Sequence, residues 1–174
     1  MASADRDVAT VTRTGQSLAP TIDGVTTRST VNHIDHRGSV FEIFEGDLSF
    51  WGTPIVYAYQ FSVRSHQMKG WGLHESKTDR YTIISGEVLL FLWDDRPDSP
   101  TRGVVQKLVL SDRATRQVII PAGVWHLSLN LGADEARLIN FPTDVYHHEA
   151  PDRLLLPWNS PEVPIDLATL FPKF

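Results

Sequence analysis

The sequence predicts an all-β protein, a jelly roll built from two antiparallel sheets. Between residues 30 and 150, short runs of β-branched and aromatic residues are separated by Gly, Pro and Asp, as is typical of strands and tight turns. That region contains no stretch of ten or more residues with the 3.6-residue apolar period of a helix. The runs number about eight or nine in ~115 residues, a density typical of β-sandwiches and jelly rolls.

The composition is that of an ordinary globular domain. The chain has 174 residues, of which 41% are hydrophobic and 21% are charged. The net charge is −5 and the basic residues are scattered, so nucleic acid is not an expected partner. No run of ~18 apolar residues is present and residues 1–14 lack the apolar segment of a secretory signal, so we expect no membrane association. The absence of cysteine excludes disulfides and fits a cytoplasmic location.

The chain divides into an arm, a barrel domain and a tail. Residues 1–28 are rich in Ser, Thr, Ala and Asp and are predicted to form a mobile N-terminal arm, or a strand donated to a partner subunit. Residues 29–150 are predicted to form the jelly roll. Its strand-length runs are 39–44, 55–63, 79–84, 88–93, 104–110, 116–120, 125–131 and 136–141.

The C-terminal tail, 151–174, is rich in proline, which fixes φ and removes a hydrogen-bond donor. It therefore cannot supply a central strand, and its leucines predict that it packs on the barrel or on a partner subunit. We also predict a homodimer, because a strand edge left open at 30–45 would pair with a second copy.

A first cluster of reactive residues follows two glycines. The segment Gly70-Trp71-Gly72-Leu73-His74 frees the backbone just before a histidine. A histidine accepts a proton near neutral pH, because its ordinary pKa is about 6.5. The functional interpretation is a general base at His74, and the alternative is a solvated histidine in a surface turn.

A second cluster, from Pro121 to Asn130, reads P-x-G-x-x-H-x-x-x-N and resembles the second motif of the cupin superfamily, with His126 at its histidine. The first motif of metal-binding cupins contains H-x-H and a carboxylate. Here His74 is present, Ser76 replaces the second histidine, and Asp79 is the candidate carboxylate. Because one nitrogen ligand is missing, we predict no metal and no other cofactor.

A closer resemblance covers residues from about 34 to 165. The chain resembles the dTDP-4-dehydrorhamnose 3,5-epimerase family, a metal-free branch of the cupins. The resemblance implies a jelly roll that isomerises a nucleotide-linked 4-keto-6-deoxyhexose through an enolate. The matching segments, in family order, are 35–42 (D-x-R-G-x-x-F-E), 72–74 (G-L-H), 85–88 (x-G-E-V), 95–103 (D-R-x-x-S-P-T-x-G), 116–126 (R-Q-x-x-I-P-x-G-x-x-H), 143–146 (T-D-x-Y) and 158–159 (W-N).

The resemblance also implies roles for individual residues. His74 corresponds to the base that removes the proton next to the C4 ketone. Arg37 and Glu42 correspond to the residues that contact the nucleotide, for which the bidentate arginine fork is suited. The other predicted substrate contacts are His126, deeper in the barrel, with Gln60, Trp71 and Asn140.

Several family positions are changed. The family arginine before the G-L-H motif is Trp71, the family lysine is Asp79, and the family catalytic tyrosine falls on Asn140. We expect the family's orienting aspartate to lie beyond residue 174, so that Glu75, Asp79 or a partner-subunit residue replaces it.

Tyr81, Tyr59 or Tyr146 could replace the lost acid, and we select Tyr146 and Asp79 as catalytic residues beside His74. Two other functions stay open. One is an epimerase-like cupin that binds or converts another small molecule. The other is a metal-dependent cupin enzyme that uses His74, Asp79 and His126.

Overall fold

The computed structural model describes residues 6–170, and their regular structure is almost entirely antiparallel β. The predicted all-β fold is confirmed. None of the helices in this range has the length and apolar character needed to cross a membrane. The elements are β1 Thr26–Ser29, β2 Asn32–Asp35, β3 Gly38–Phe41, α1 Leu48–Trp51, β4 Tyr59–Val63, β5 Met68–Leu73, β6 Asp79–Ser85, β7 Glu87–Asp94, β8 Val105–Ser111, β9 Arg116–Ile120, β10 Val124–Leu129, β11 Ala136–Asn140, β12 Leu154–Leu155 and a 3₁₀ turn, Leu167–Leu170.

Two five-stranded sheets form the jelly roll. The first has the strand order β1-β9-β6-β11-β4 and the second has the order β12-β5-β10-β7-β8. Neighbouring strands pair antiparallel throughout. Strands β2 and β3 form a separate hairpin that belongs to neither sheet. Within residues 6–170, no other strand pairs with either edge of this hairpin.

Strand alternation produces one core between the sheets and another on the outer face of the second sheet. On β7, Val88, Leu90 and Leu92 are buried in the core between the sheets, while Phe91 is buried on the opposite face. Each fully buried leucine contributes about 1.5–3 kcal/mol relative to exposure. The second core also contains Trp71, Leu127, Leu129, Val163 and Leu167. Because Val163 and Leu167 belong to the tail, the tail covers the outer face of the second sheet.

Four strands of the structure are absent from the predicted runs: β1, β2, β5 and β12. The surface turn considered as an alternative before His74 is instead strand β5, in which Trp71 is fully buried and the missing side chain of Gly70 lets β5 run close against β10. The sheet also begins inside the segment predicted as an arm. Thr26–Ser29 pairs with β9, and Ile22 is buried with its amide donating to Gln106 Oε1 at 2.9 Å.

The tail reaches the site through the edge strand β12, which pairs with Leu73 and Gly72 of β5. A two-residue edge strand is compatible with the surrounding prolines, because an edge needs few backbone donors. This pairing carries Asp152 and Arg153 to the end of β5, next to His74.

The turn between β7 and β8 is closed around the buried carboxylate of Asp94. Arg96 donates to both of its oxygens at 2.9 Å, and Ser99 and Thr101 donate to Oδ2 at 2.6 and 2.7 Å. Burial opposes ionisation, but these hydrogen bonds outweigh it and hold the pKa of Asp94 well below its ordinary value.

We predict that Asp94→Asn lowers the free energy of unfolding at pH 7 by about 2–3 kcal/mol, less than the ~3–5 kcal/mol for a fully buried pair because Arg96 is partly exposed. A carboxyl whose pKa is lower in the folded state stabilises the fold above its unfolded pKa of about 3.9 and loses that contribution as the pH falls. Urea unfolding between pH 7 and 3 should therefore show a flatter pH dependence in the variant. The exposed Asp95→Asn is the matched control, and equal slopes in all three proteins would contradict the prediction.

Candidate active site

A cavity of about 500 Å³ opens at one end of the barrel, a size within the usual range for small-molecule sites. Strands β4, β5, β6 and β10 form its walls, and the segments 142–146 and 153 form its rim. Its polar lining residues are Tyr57, Tyr59, Lys69, His74, Lys77, Asp79, Tyr81, His126, Ser128, Tyr146 and Arg153.

Strand alternation decides which predicted contacts reach this cavity. On β4, Tyr59 and Phe61 line the cavity, so Gln60 between them points to the other face and is exposed. On β5, Gly70 lines the cavity, whereas the side chain of Trp71 is buried in the second core, on the outer face of the second sheet. Neither of the predicted substrate contacts Gln60 and Trp71 therefore lines this cavity in the single chain.

His74 follows β5 and is held by the tail. Its Nδ1 makes a short contact with the backbone carbonyl oxygen of Asp152. A carbonyl oxygen can only accept, so Nδ1 carries a hydrogen and Nε2 of the neutral ring has a free lone pair. The carboxylate of Asp152 lies 4.0 Å from the same Nδ1. The tautomer of His74 is thus fixed with Nε2 as its basic atom.

The Asp152 carboxylate also holds the loop that follows His74. It accepts hydrogen bonds from the Glu75 and Lys77 amides at 2.8 and 3.1 Å and from the Ser76 hydroxyl at 3.0 Å. Burial opposes ionisation of Asp152, but these hydrogen bonds lower its pKa below the ordinary value. Asp152 is not among the predicted site residues, because the sequence does not show that the tail pairs with β5.

Asp79 lies at the base of the cavity between two histidines. Its Oδ2 is 3.5 Å from His74 Nε2 and 3.4 Å from His126 Nε2, and it accepts a hydrogen bond from the Tyr81 hydroxyl at 3.1 Å. Burial first, and then the Asp79 charge, raise the pKa of Tyr81 well above its ordinary value, so Tyr81 remains a donor. The Asp79 carboxylate is therefore placed to stabilise a positive charge on either imidazole.

Asn140 is buried and does not line the cavity. Its Nδ2 donates to Asp79 Oδ1 at 2.7 Å and to the Tyr59 hydroxyl at 2.9 Å, and its Oδ1 accepts from the Arg80 amide. Both amide hydrogens are thus used within the protein. These hydrogen bonds hold Asn140 against Asp79 and Tyr59, and the predicted substrate contact at Asn140 is not among the residues that line the cavity.

His126 lies deep in the cavity, with 8% of the residue exposed. Its Nδ1 is 3.2 Å from the Val124 carbonyl, and its ring stacks near that of His74 with centroids 5.9 Å apart. Burial lowers the pKa of His126, although the Asp79 charge opposes this effect. The ring is therefore neutral at neutral pH, with its second nitrogen facing Asp79.

Three cationic side chains that are not among the predicted site residues line the cavity. They are Lys69, Lys77 and Arg153. Lys77 is 5% exposed, and its Nζ lies 3.4 Å from the Val145 carbonyl and 5.7 Å from the centre of the Tyr146 ring. Lys77 lies in the loop that leads into β6, two residues before Asp79, so strand alternation does not predict its orientation. Arg153 reaches the cavity because β12 of the tail pairs with β5, and the local sequence does not predict that pairing.

Arg37 and Glu42 do not reach this cavity within one chain. Arg37 lies at the tip of the β2–β3 hairpin, is largely exposed and pairs with Asp35 at 2.6 Å. Glu42 follows β3 and lines a shallow groove beside Arg28 and His33. In the single chain, the predicted nucleotide contacts are thus separate from His74.

The fold and the cavity define a cupin-type jelly roll with a histidine–carboxylate site. The model of the dTDP-4-dehydrorhamnose 3,5-epimerase family matches residues 19–173, and the chain belongs to this family.

Individual relatives support the same assignment. The chain is 28% identical over 141 residues to the probable low-salt glycan biosynthesis epimerase Agl13 of Haloferax volcanii. The aligned residues cover 80% of this chain and 90% of Agl13. The fold of this chain is similar to that of the dTDP sugar isomerase of Desulfovibrio desulfuricans, with a TM-score of 0.78 and 23% identity. The superposition covers 84% of this chain and 92% of the isomerase chain. The fold is also similar to that of the epimerase RmlC of Legionella pneumophila, which was solved in complex with dTDP-4-keto-L-rhamnose. The TM-score is 0.74 at 25% identity, and the superposition covers 85% of this chain and 80% of the RmlC chain.

Proposed function

We propose that the chain epimerises a dTDP-linked 4-keto-6-deoxyhexose, with His74 as the general base. The observation that carries this proposal is that His74 lines a cavity of suitable size with its Nδ1 held by the Asp152 carbonyl, which leaves Nε2 as the nitrogen that can accept a proton. Family membership supports the class of substrate, and the complex of the Legionella relative supports the nucleotide.

The reaction begins when Nε2 of His74 removes the proton from a carbon next to the C4 ketone. The electron pair of the broken C–H bond forms an enolate, and its oxygen carries the negative charge. The imidazolium is stabilised by Asp79, and Lys77 and Arg153 supply positive charge to the same cavity. Return of a proton to the opposite face of the carbon inverts it.

We assign the returning proton to Tyr146, which lines the rim of the cavity beside Lys77. Tyr146→Phe is expected to slow epimerisation by about 10²-fold, the lower end of the range for a lost acid, because solvent enters at the rim. Rates followed by NMR would check this.

Tyr59 is the comparison, since its hydroxyl is bound by Asn140 and it lines the same cavity. Tyr59→Phe should change the rate much less than Tyr146→Phe. The reverse order would transfer the acid role to Tyr59.

We also propose that the active protein is a homodimer in the cytoplasm, in which the β2–β3 hairpin brings Arg37 to the cavity of the second copy. The hairpin belongs to neither sheet of its own chain, and its Ile34 and Val40 are largely exposed. Docking on a second copy would cover these apolar side chains and place a bidentate donor near the diphosphate.

Arg37→Ala is predicted to weaken dTDP binding by about 1.5–3 kcal/mol, the range for a hydrogen bond to a charged group. Calorimetric titration with dTDP measures this. The exposed Arg113→Ala is the matched control. Equal affinity for dTDP in folded Arg37→Ala and in the control would show that the hairpin does not contact the nucleotide.

The function is tested by incubating the protein with dTDP-4-keto-6-deoxyglucose and reading the ring stereochemistry by NMR. Inversion at C3, at C5 or at both supports the proposal. Binding of the sugar without inversion would instead support the second function predicted from the sequence, a diverged member that binds without turnover.

A further inference from the structure

Three electron-pair donor atoms meet at the base of the cavity. His74, His126 and Asp79 each offer one such atom, and these atoms lie within 4.8 Å of one another. Oδ2 of Asp79 is 3.5 Å from Nε2 of His74 and 3.4 Å from Nε2 of His126. The side chains are largely buried, with 12%, 10% and 2% of their surfaces exposed.

The hydrogen bonds of the two rings leave these atoms without hydrogens. Nδ1 of His74 donates to the Asp152 carbonyl and Nδ1 of His126 faces the Val124 carbonyl, and neither carbonyl can donate in return. Each neutral ring then presents a bare lone pair at Nε2. Two lone pairs therefore face an oxygen of a carboxylate, an arrangement that a cation would stabilise.

The distances fit a metal better than direct hydrogen bonds. The two nitrogen–oxygen separations are 3.5 and 3.4 Å, longer than the ~2.7–3.2 Å of an N–H···O bond. Ligands at about 2.1 Å from a tetrahedral zinc ion are about 3.4 Å apart, and two such bonds span at most ~4.2 Å. The two imidazole nitrogens, at most 4.8 Å apart, would therefore need to approach each other by at most about 1.4 Å to reach the tetrahedral spacing.

The surrounding hydrogen bonds resemble the outer shell of a metal site. Ligating histidines usually donate their second nitrogen to a carbonyl or carboxylate, and ligating carboxylates are themselves hydrogen-bonded. Asp79 is bound at Oδ1 by Asn140 at 2.7 Å and at Oδ2 by Tyr81 at 3.1 Å. Each of the three candidate ligands is thus oriented by a protein contact at another atom.

We propose that His74, Asp79 and His126 bind one divalent transition-metal ion of the zinc type, and that this ion inhibits the enzyme. The inhibition rests on the proposed function, because a metal on Nε2 of His74 occupies the lone pair that removes the substrate proton. Two imidazoles and one carboxylate suit zinc, whereas magnesium prefers a full set of oxygen ligands. Metal and proton abstraction are therefore mutually exclusive at this site.

The experiment is a calorimetric titration of chelator-treated protein with ZnCl₂, repeated with MgCl₂. We expect one equivalent of Zn²⁺ to bind and no comparable binding of Mg²⁺. His126→Asn and Asp79→Asn should each weaken Zn²⁺ binding by more than the roughly 10–100-fold typical of outer-shell substitutions. His147→Asn removes an exposed histidine paired with Asp144 and is the matched control, expected to leave Zn²⁺ binding unchanged.

A measurement on the unaltered protein covers the case in which a variant does not fold. The imidazole nitrogen NMR signals of His74 and His126 should shift together on addition of one equivalent of Zn²⁺. Zn²⁺ binding that shifts neither signal, that is lost in His147→Asn or that persists in folded Asp79→Asn would overturn the proposal.

Activity separates this inference from the proposed function. Exchange of the substrate proton in metal-free protein that stops at one equivalent of Zn²⁺ supports both. Exchange that continues with Zn²⁺ bound overturns the inhibition and leaves the proposed function standing. Stoichiometric Zn²⁺ binding without any exchange in metal-free protein supports the metal site and refutes the proposed function.

Discussion

His74→Asn is expected to lower the rate of solvent exchange at the substrate carbon by about 10²–10⁴-fold, the usual loss for a general base. Asparagine has a similar size and retains a donor toward the Asp152 carbonyl, but it has no lone pair that can accept the proton at neutral pH. Nucleotide binding should survive, because no nucleotide contact is assigned to His74. The rate in D₂O, followed by NMR with a dTDP-4-keto-6-deoxyhexose, measures the effect.

His147→Asn is the matched control for this substitution, since His147 is an exposed histidine of the loop after β11. It should exchange at the rate of the unaltered protein. An exchange rate in folded His74→Asn equal to that of the control would mean that another group is the base. Glu75 and Asp79 would then be the next candidates.

Gly70→Ala is expected to give the largest loss of stability, about 3–5 kcal/mol from overpacking together with an unfavourable backbone angle. A Cβ at Gly70 would lie 2.5 Å from the His126 carbonyl oxygen and 2.7 Å from Leu127 Cα, and both are backbone atoms that cannot rotate away. The φ of Gly70 is +125°, a region that alanine rarely adopts. The variant should also displace His126 and reduce activity.

The control separates the steric clash from the backbone angle. Gly46 has a φ of +86°, but a Cβ there meets no atom within 4 Å. Gly46→Ala should therefore cost only about 1–2 kcal/mol, the penalty of the left-handed region. Equal losses in the two variants, measured by urea unfolding, would contradict the close approach of β5 and β10.

Much of the fold could be predicted from the sequence, because most strands carry a local signal. The run 116–120 coincides with β9, and β6, β7 and β8 lie within a residue or two of their predicted bounds. Strand β5 is not predicted because its glycines are typical of a turn, and the need for Gly70 appears only when β10 is packed against β5. The pairing of Thr26–Ser29 with β9 is likewise a contact between distant parts of the chain.

The candidate site was predictable in part. His74, Asp79, Tyr146 and His126 were selected from motifs, and the structure gathers them around one cavity. The motif around Trp71 predicts a site residue, but strand alternation directs its side chain into the second core, on the outer face of the second sheet.

Other parts of the site carried no sequence signal. Asp152 was missed because its position depends on β12 pairing with β5, and Arg153 because it follows Asp152. Such contacts depend on the path of the tail, which local sequence does not specify.

The proposed removal by His74 of a proton next to the ketone of a nucleotide-linked sugar is tested most directly by NMR. Metal-free protein is incubated in D₂O with dTDP-4-keto-6-deoxyglucose, and deuterium incorporation is measured. We expect deuterium at C3, at C5 or at both, at a rate far above that in buffer alone. The absence of catalysed incorporation across a panel of dTDP-4-keto-6-deoxyhexoses would contradict the proposal.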